Sequence, residues 1–177
     1  VVLKENDELI DVKLTDGTQD IILVTRNGMS IRFNENDVRP VGRISQGVKG
    51  IQLYDDDYLI GMEACCDKKY LLVVTENGFG KRTEISEYKV QSRAGKGIIT
   101  YKITSKTGKV AGMKIVNEED DVILISSDGT VIRIKVSDIS ILGRSTQGVT
   151  LMRMNDGVHV VSVASIVKEE EEDSIDA

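Results

Sequence analysis

The stretch DIILVTRNGMSIRF, residues 20–33, sets one apolar run against another across the pair Asn27-Gly28. Asn-Gly tolerates the positive φ angles of a two-residue type I′ turn, so the stretch predicts a β-hairpin. The same pattern returns as KYLLVVTENGFGKRT from Lys69 and DVILISSDGTVIRI from Asp121, with turns at Asn77-Gly78 and Asp128-Gly129. The turn glycines Gly28, Gly78 and Gly129 stand 50 and 51 residues apart, and a fixed period of that length marks a repeat architecture.

Counting outward from each turn glycine, the same chemistry recurs at the same offsets. Arg32, Arg82 and Arg133 come first, then the acids Asp37, Glu87 and Asp138, then Arg43, Arg93 and Arg144, then Gly47, Gly97 and Gly148. An Arg-x-x-x-Gly element therefore sits in every copy, as GRISQG from Gly42, as QSRAGKG at residues 91–97, and as GRSTQG from Gly143. Each is followed by a further apolar pair of strands, VKGIQLYDDDYLIGMEAC, IITYKITSKTGKVAGMKIV and VTLMRMNDGVHVVSVASIV.

Four strands per fifty residues, one hairpin of them marked by glycine, describe a propeller-like blade. The expected fold is all-β, an arc of three four-stranded blades over residues of about 20–65, 69–116 and 121–167 plus a partial one. The opening VVLKENDELIDVKL, residues 1–14, matches the closing segments and reads as the end of a preceding repeat. No stretch carries a 3.6-residue period long enough for a core helix, and residues 86–88 predict a single turn. A blade cannot bury both faces of its sheet alone, so the arc is expected to expose its ends, and such edges invite a homodimer of the chain.

Composition narrows the function. Tryptophan is absent and aromatics are 4% of residues, so the core must be built from Ile, Val and Leu. No apolar run reaches the length of a membrane span, and the start at Val1 lacks the layout of a signal peptide; a truncated cytoplasmic chain without a membrane partner is expected. Cys65 and Cys66 are neighbours, a spacing that suits neither a disulfide nor a tetrahedral zinc site. There is no P-loop and no paired nucleophile and base, and the single histidine, His159, lies on the apolar segment VHVVSV and is expected to be half-buried. Neither catalytic residue, metal nor cofactor is expected in the chain.

The net charge of −6 is unevenly spread: six of the 29 acids and one of the 23 bases lie beyond Val167, so the preceding body carries 22 basic against 23 acidic side chains. The acidic residues 168–177 read as a disordered tail, or as one that competes with an anionic ligand for a basic surface.

The succession IILVTRNG, IRFNENDVRPVGR, LLVVTENGFGKRT, SEYKVQSRAGKGII, VILISSDG and GRSTQGVTLMRM closely resembles the C-terminal domain of bacterial DNA gyrase A, across residues 1–167. The resemblance implies a β-pinwheel, six-bladed when complete, that wraps duplex DNA around a positive rim and supports ATP-dependent negative supercoiling. It implies the remainder of gyrase A, together with gyrase B, as partners. The related C-terminal domain of topoisomerase IV is the nearest alternative, and a protein-interaction propeller is the alternative from another class. The family's gyrase box, Q-(R/K)-R-G-G-(R/K)-G, is matched by QSRAGKG at Gln91, Arg93, Gly95, Lys96 and Gly97 but not at Ser92 and Ala94.

Elementary physics gives the arginines two readings. A protein that holds a duplex without reading its sequence needs cations repeated along a surface and hinges where backbone amides approach phosphate oxygens. On that reading Arg43, Arg93 and Arg144 are DNA contacts, with Lys49, Lys81, Gln91, Lys96 and Lys135 as further ones. Arg32, Arg82 and Arg133 have an equal claim to be structural, through an ion pair with the acid five residues on. The recurring glycines serve the fold first, by a positive φ or by close packing between blades.

Overall fold

The computed structural model describes residues 2–54, 56–65 and 67–166. The first repeat supplies strands β1 (Asp20–Thr25), β2 (Met29–Asn34) and β3 (Leu59–Cys65). The second supplies β4 (Tyr70–Thr75), β5 (Phe79–Glu84), β6 (Ile98–Ile99) and β7 (Val110–Val116), and the third β8 (Asp121–Ser126), β9 (Val131–Lys135), β10 (Val149–Thr150) and β11 (Val160–Ile166). A single 3-10 turn follows each hairpin, at Glu35–Asp37, Ile85–Glu87 and Val136–Asp138, and there is no α-helix among the described residues. The turn expected at residues 86–88 is thus one member of a threefold set.

The hairpins form where expected, but not with type I′ turns. Three residues separate β1 from β2, the Gly28 N–H donates to the Thr25 carbonyl at 3.0 Å, and only the glycine has positive φ, at 79°. Gly78 and Gly129 repeat this geometry at 79° and 85°. That is a turn of negative-φ residues followed by one left-handed glycine, the three-residue loop with a G1 bulge, so Asn27, Asn77 and Asp128 need no left-handed backbone.

Blades and repeats do not coincide. The first sheet has the order β3-β1-β2-β6 and the second β10-β5-β4-β7, so each takes its fourth strand from the repeat that follows. Ile98 and Ile99 pair with Ser30 and Met29, and Val149 and Thr150 pair with Gly80 and Phe79. The third sheet, β11-β8-β9, has three strands among the described residues and leaves β9 as an edge. The short segments behind the second and third Arg-x-x-x-Gly loops are carried onto the preceding hairpins by those loops, so a blade is not self-contained within one repeat.

Residues 2–18 carry no strand, although the match to the closing strands survives in one contact. Lys13 and Lys114 stand at equivalent positions and both reach Glu63, at 3.1 and 2.7 Å. Leu9, Val12 and Leu14 are exposed, since among the described residues no sheet packs against them.

The core lies between blades. Leu71 and Val73 on one face of β4 pack with Ile22 and Val24 of the first blade, while Tyr70, Leu72 and Val74 on the other face pack with Val122 and Leu124 of the third. All six residues of β4 are buried, and its unbroken apolar run follows from burial on both faces. Each such aliphatic side chain contributes about 1.5–3 kcal/mol.

Candidate nucleic-acid interface

The Arg-x-x-x-Gly loops are stitched to one another. Arg93 donates from Nε to the Asp37 carbonyl and from Nη1 to the Lys49 carbonyl, both at 2.9 Å. Arg144 repeats the second bond one repeat later, its Nη1 reaching the Ile99 carbonyl at 3.2 Å. Lys49 and Ile99 hold the same place in their repeats. Backbone bonds run alongside, from Gln52 N to Gly95 O at 2.9 Å and from Lys102 N to Thr146 O at 3.1 Å. The three loops thereby form one continuous strip.

Exposed cations punctuate that strip. Arg43, Lys49 and Lys96 are exposed, Arg93 and Arg144 are half-buried, and Gln91 is half-buried with its N–H donating to the Arg32 carbonyl at 2.7 Å. A guanidinium carries five N–H donors, so the bonds that fix Arg93 and Arg144 leave others to meet an anion. Further exposed cations recur at fixed offsets outside the loops themselves. Arg39 and Lys89 share one offset from their turn glycines, Lys102 and Arg153 share another, and all four are exposed. The periodic count that picked out Arg43, Arg93 and Arg144 would have found them had two cations in three copies been accepted as a signal.

Lys81 is corrected. It is fully buried, and its ammonium donates inward to the carbonyls of Gly143 at 2.6 Å and Arg144 at 2.5 Å and to Thr146 Oγ1 at 3.0 Å. It cannot face a phosphate. Burial pushes its pKa down to about 8, with Glu87 opposing the shift and Arg144 adding to it. Lys135 is exposed but stands apart from the loop strip, lining a cleft with Glu118, Glu119 and Asp121, whose carboxylates oppose an anionic ligand.

The hairpin arginines are structural, with partners other than those expected. Arg32 reaches back across its hairpin to Asp20, with Nε 2.9 Å from Oδ2, and donates from Nη1 to the Ile85 and Tyr88 carbonyls of the next blade's turn at 3.1 and 3.2 Å. Arg82 donates to Ile139 O at 2.7 Å and pairs with Glu118 at 3.2 Å, over the ring of Tyr70. Arg133 pairs with Asp121 at 2.5 Å. Asp37, Glu87 and Asp138 instead sit in the 3-10 turns, where Glu87 accepts the Arg144 N–H at 3.3 Å.

Gly148 shows why the loop ends in glycine. Its φ is 71°, and a Cβ there would stand 2.5 Å from both the Gly80 carbonyl oxygen and the Tyr101 hydroxyl. Gly97 meets Ser30 in the same way, whereas Gly47, at φ 75°, has nothing within 4 Å. Ala94, at a box position where the resemblance implies glycine, has φ 67°. His159 is exposed rather than half-buried, and the described residues hold no group of three or more potential metal ligands. No helix among them is long and apolar enough to cross a membrane. The acidic run 168–177 lies outside the described residues.

Comparison with known proteins agrees with this geometry. The family described as DNA gyrase C-terminal domain, beta-propeller, matches residues 19–66, 69–117 and 120–166. The A chain of DNA gyrase from Clostridium acetobutylicum is 51% identical over 170 residues, covering 96% of this chain and 20% of the relative, and that from Staphylococcus epidermidis is 44% identical, covering 95% and 19%. The chain thus spans about a fifth of the length of these curated relatives. Among solved structures, the C-terminal domain of DNA topoisomerase IV superimposes with a TM-score of 0.88 at 29% identity, covering 93% of this chain and 52% of that one. A DNA gyrase A C-terminal domain superimposes with a TM-score of 0.80, also at 29% identity, over 85% and 51%. With three consecutive family matches falling on three consecutive repeats, the chain belongs to the DNA gyrase C-terminal domain family.

Proposed function

We propose that the chain binds duplex DNA without regard to sequence and bends it along the strip of stitched loops, as the wrapping part of gyrase A. The observation that supports this reading is the recurrence of exposed or half-buried cations on loops joined edge to edge: Arg43, Lys49, Arg93, Lys96 and Arg144, joined by Arg39, Lys89, Lys102 and Arg153. Duplex phosphates form a regular line, and smooth bending of a short site costs on the order of 1–6 kcal/mol. Contacts spread over successive blades offset that cost.

In the longer protein the domain serves an ATP-dependent type II topoisomerase in the cytoplasm, with the remainder of gyrase A, and with gyrase B, as its partners. Strand cleavage and ATP hydrolysis belong to those parts, and this chain contributes no cofactor. The curated relatives favour gyrase over topoisomerase IV. The open edge of β9 is the surface through which two copies of the chain would pair, which sedimentation at rising concentration tests.

The deciding experiment is a mobility-shift titration with linear duplexes of unrelated sequence at several salt concentrations. Steep salt dependence and equal affinities are expected, and weak binding without salt dependence would favour a protein partner instead. Changing Arg43, Arg93 and Arg144 together to alanine should flatten the slope of log K against log salt by up to roughly three units, near 0.9 per lost phosphate contact.

A further inference from the structure

Lys81 occupies the position held by Ile31 in the first hairpin and Ile132 in the third. The equivalent Ile31 lies under the QSRAGKG loop, where a Cβ built on Gly95 would be 3.6 Å from Ile31 Cδ1. Under GRSTQG the apolar support is replaced by a cation. An ammonium has three N–H donors, and Lys81 spends all three on that loop, on the Gly143 and Arg144 carbonyls and the Thr146 hydroxyl. Thr146 Oγ1 in turn donates to the Gly143 carbonyl at 2.8 Å, and the Lys81 ammonium lies 5.2 Å from the centre of the Tyr101 ring. Tyr101 itself bonds the Gln147 carbonyl. Two buried side chains of the second repeat therefore hold four stations of the third repeat's loop. One of those stations is the backbone of Arg144.

We propose that Lys81 is a positioning residue for the DNA contact at Arg144, its ammonium fixing the loop backbone from which that guanidinium is presented. The proposal rests on the DNA-binding reading above. It makes Lys81 matter to DNA without touching it, and it makes the third loop differ from the second, whose support is aliphatic. The charged groups that face Lys81 are Glu87, from the 3-10 turn of the second repeat, and Arg144 itself.

The test uses the 177-residue chain with Lys81→Met, Arg144→Ala and the double substitution, titrated with linear duplex DNA at several salt concentrations. Lys81→Ile, which installs the residue of the sister hairpins, serves as a second variant should Lys81→Met melt the fold. Lys81→Met is expected to weaken binding several-fold and to lower the salt slope by up to about 0.9, although the side chain is buried. In the Arg144→Ala background the same change should cost neither affinity nor slope. Amide exchange should quicken at residues 143–148 and stay unchanged in β1 and β2. Unchanged affinity on Lys81→Met, or costs that multiply in the double variant, would overturn the proposal while the DNA-binding reading stands. No binding by the unaltered chain would overturn both.

Discussion

Arg82 and Arg133 hold the same place in the middle and third hairpins, yet the Arg82 side chain is 5% exposed and that of Arg133 is 57% exposed. Their strands differ likewise, β5 being buried along four of six residues while β9 alternates between exposed and half-buried. What separates them is the neighbour. The turn and loop of the following repeat lie against β5, where Leu142 N bonds the Arg82 carbonyl at 2.9 Å and the Ile139 carbonyl accepts from the guanidinium. Beside β9 no such segment is present among the described residues. A residue's role in this fold is thus decided about fifty positions downstream, by the copy that covers it.

The sharpest contrast is expected in the core. Leu72 is fully buried, and Leu72→Ala should cost about 2–5 kcal/mol in urea unfolding. Ile123, its partly exposed counterpart in β8, should cost less than half as much. Equal losses would mean that the third blade is as well covered as the middle one.

The arginines give the next test. Arg82→Met leaves the buried Ile139 carbonyl short of a donor and should lower stability by about 2–4 kcal/mol, whereas Arg133→Met removes a guanidinium that is itself 57% exposed, leaving water to reach the buried Asp121 carboxylate, and should cost less, about 1–2 kcal/mol. Both variants are compared by their denaturation midpoints.

These contrasts bear on what the sequence disclosed. The three hairpins, the period and the all-β class follow from Asn27-Gly28, Asn77-Gly78, Asp128-Gly129 and the apolar runs around them. The donated strands did not, because two-residue elements such as Ile98–Ile99 and Val149–Thr150 have no period to detect, and pairing with the previous hairpin is a fact of space rather than of pattern. The loop arginines were legible through their fixed offset. The burial of Lys81 was not, since a lysine in a polar-looking GKRT run reads as solvated; only its alignment with Ile31 and Ile132 hinted at an inward position.

Titration offers a third contrast, since the residue equivalent to Lys81 in the other two hairpins is isoleucine. The folded-state pKa of Lys81 lies near 8, below its ordinary 10.5, so between those values the unfolded chain binds more protons and stability should rise with pH. Tyr88, pushed up to about 12 by burial, and Tyr101, also raised, act oppositely: their folded forms keep a proton that the unfolded chain loses near pH 10. Thermal melts should therefore show stability climbing from pH 8 to about 10, by on the order of 1 kcal/mol, then falling. Lys81→Met should remove the climb and leave the fall.

The smallest effect separates the loops. Ala94 holds a left-handed backbone that costs an L-residue about 1–2 kcal/mol, partly offset by the greater freedom glycine has when unfolded. Ala94→Gly should stabilise the chain by about 0.5 kcal/mol in urea unfolding. The same change at Ser145, the equivalent residue without positive φ, should destabilise it slightly.

The donated strands also give the molecule a direction in time. Ser30 waits for Ile98, and Gly80 for Val149, before its sheet is closed. At synthesis rates of roughly 5–20 residues per second, each hairpin leaves the ribosome several seconds before the strand that will complete it. Every newly made blade therefore stands open at one side until its successor arrives and seals it. Assembly should advance from the N-terminal end like links closing on a chain, each finished unit exposing a fresh edge for the next.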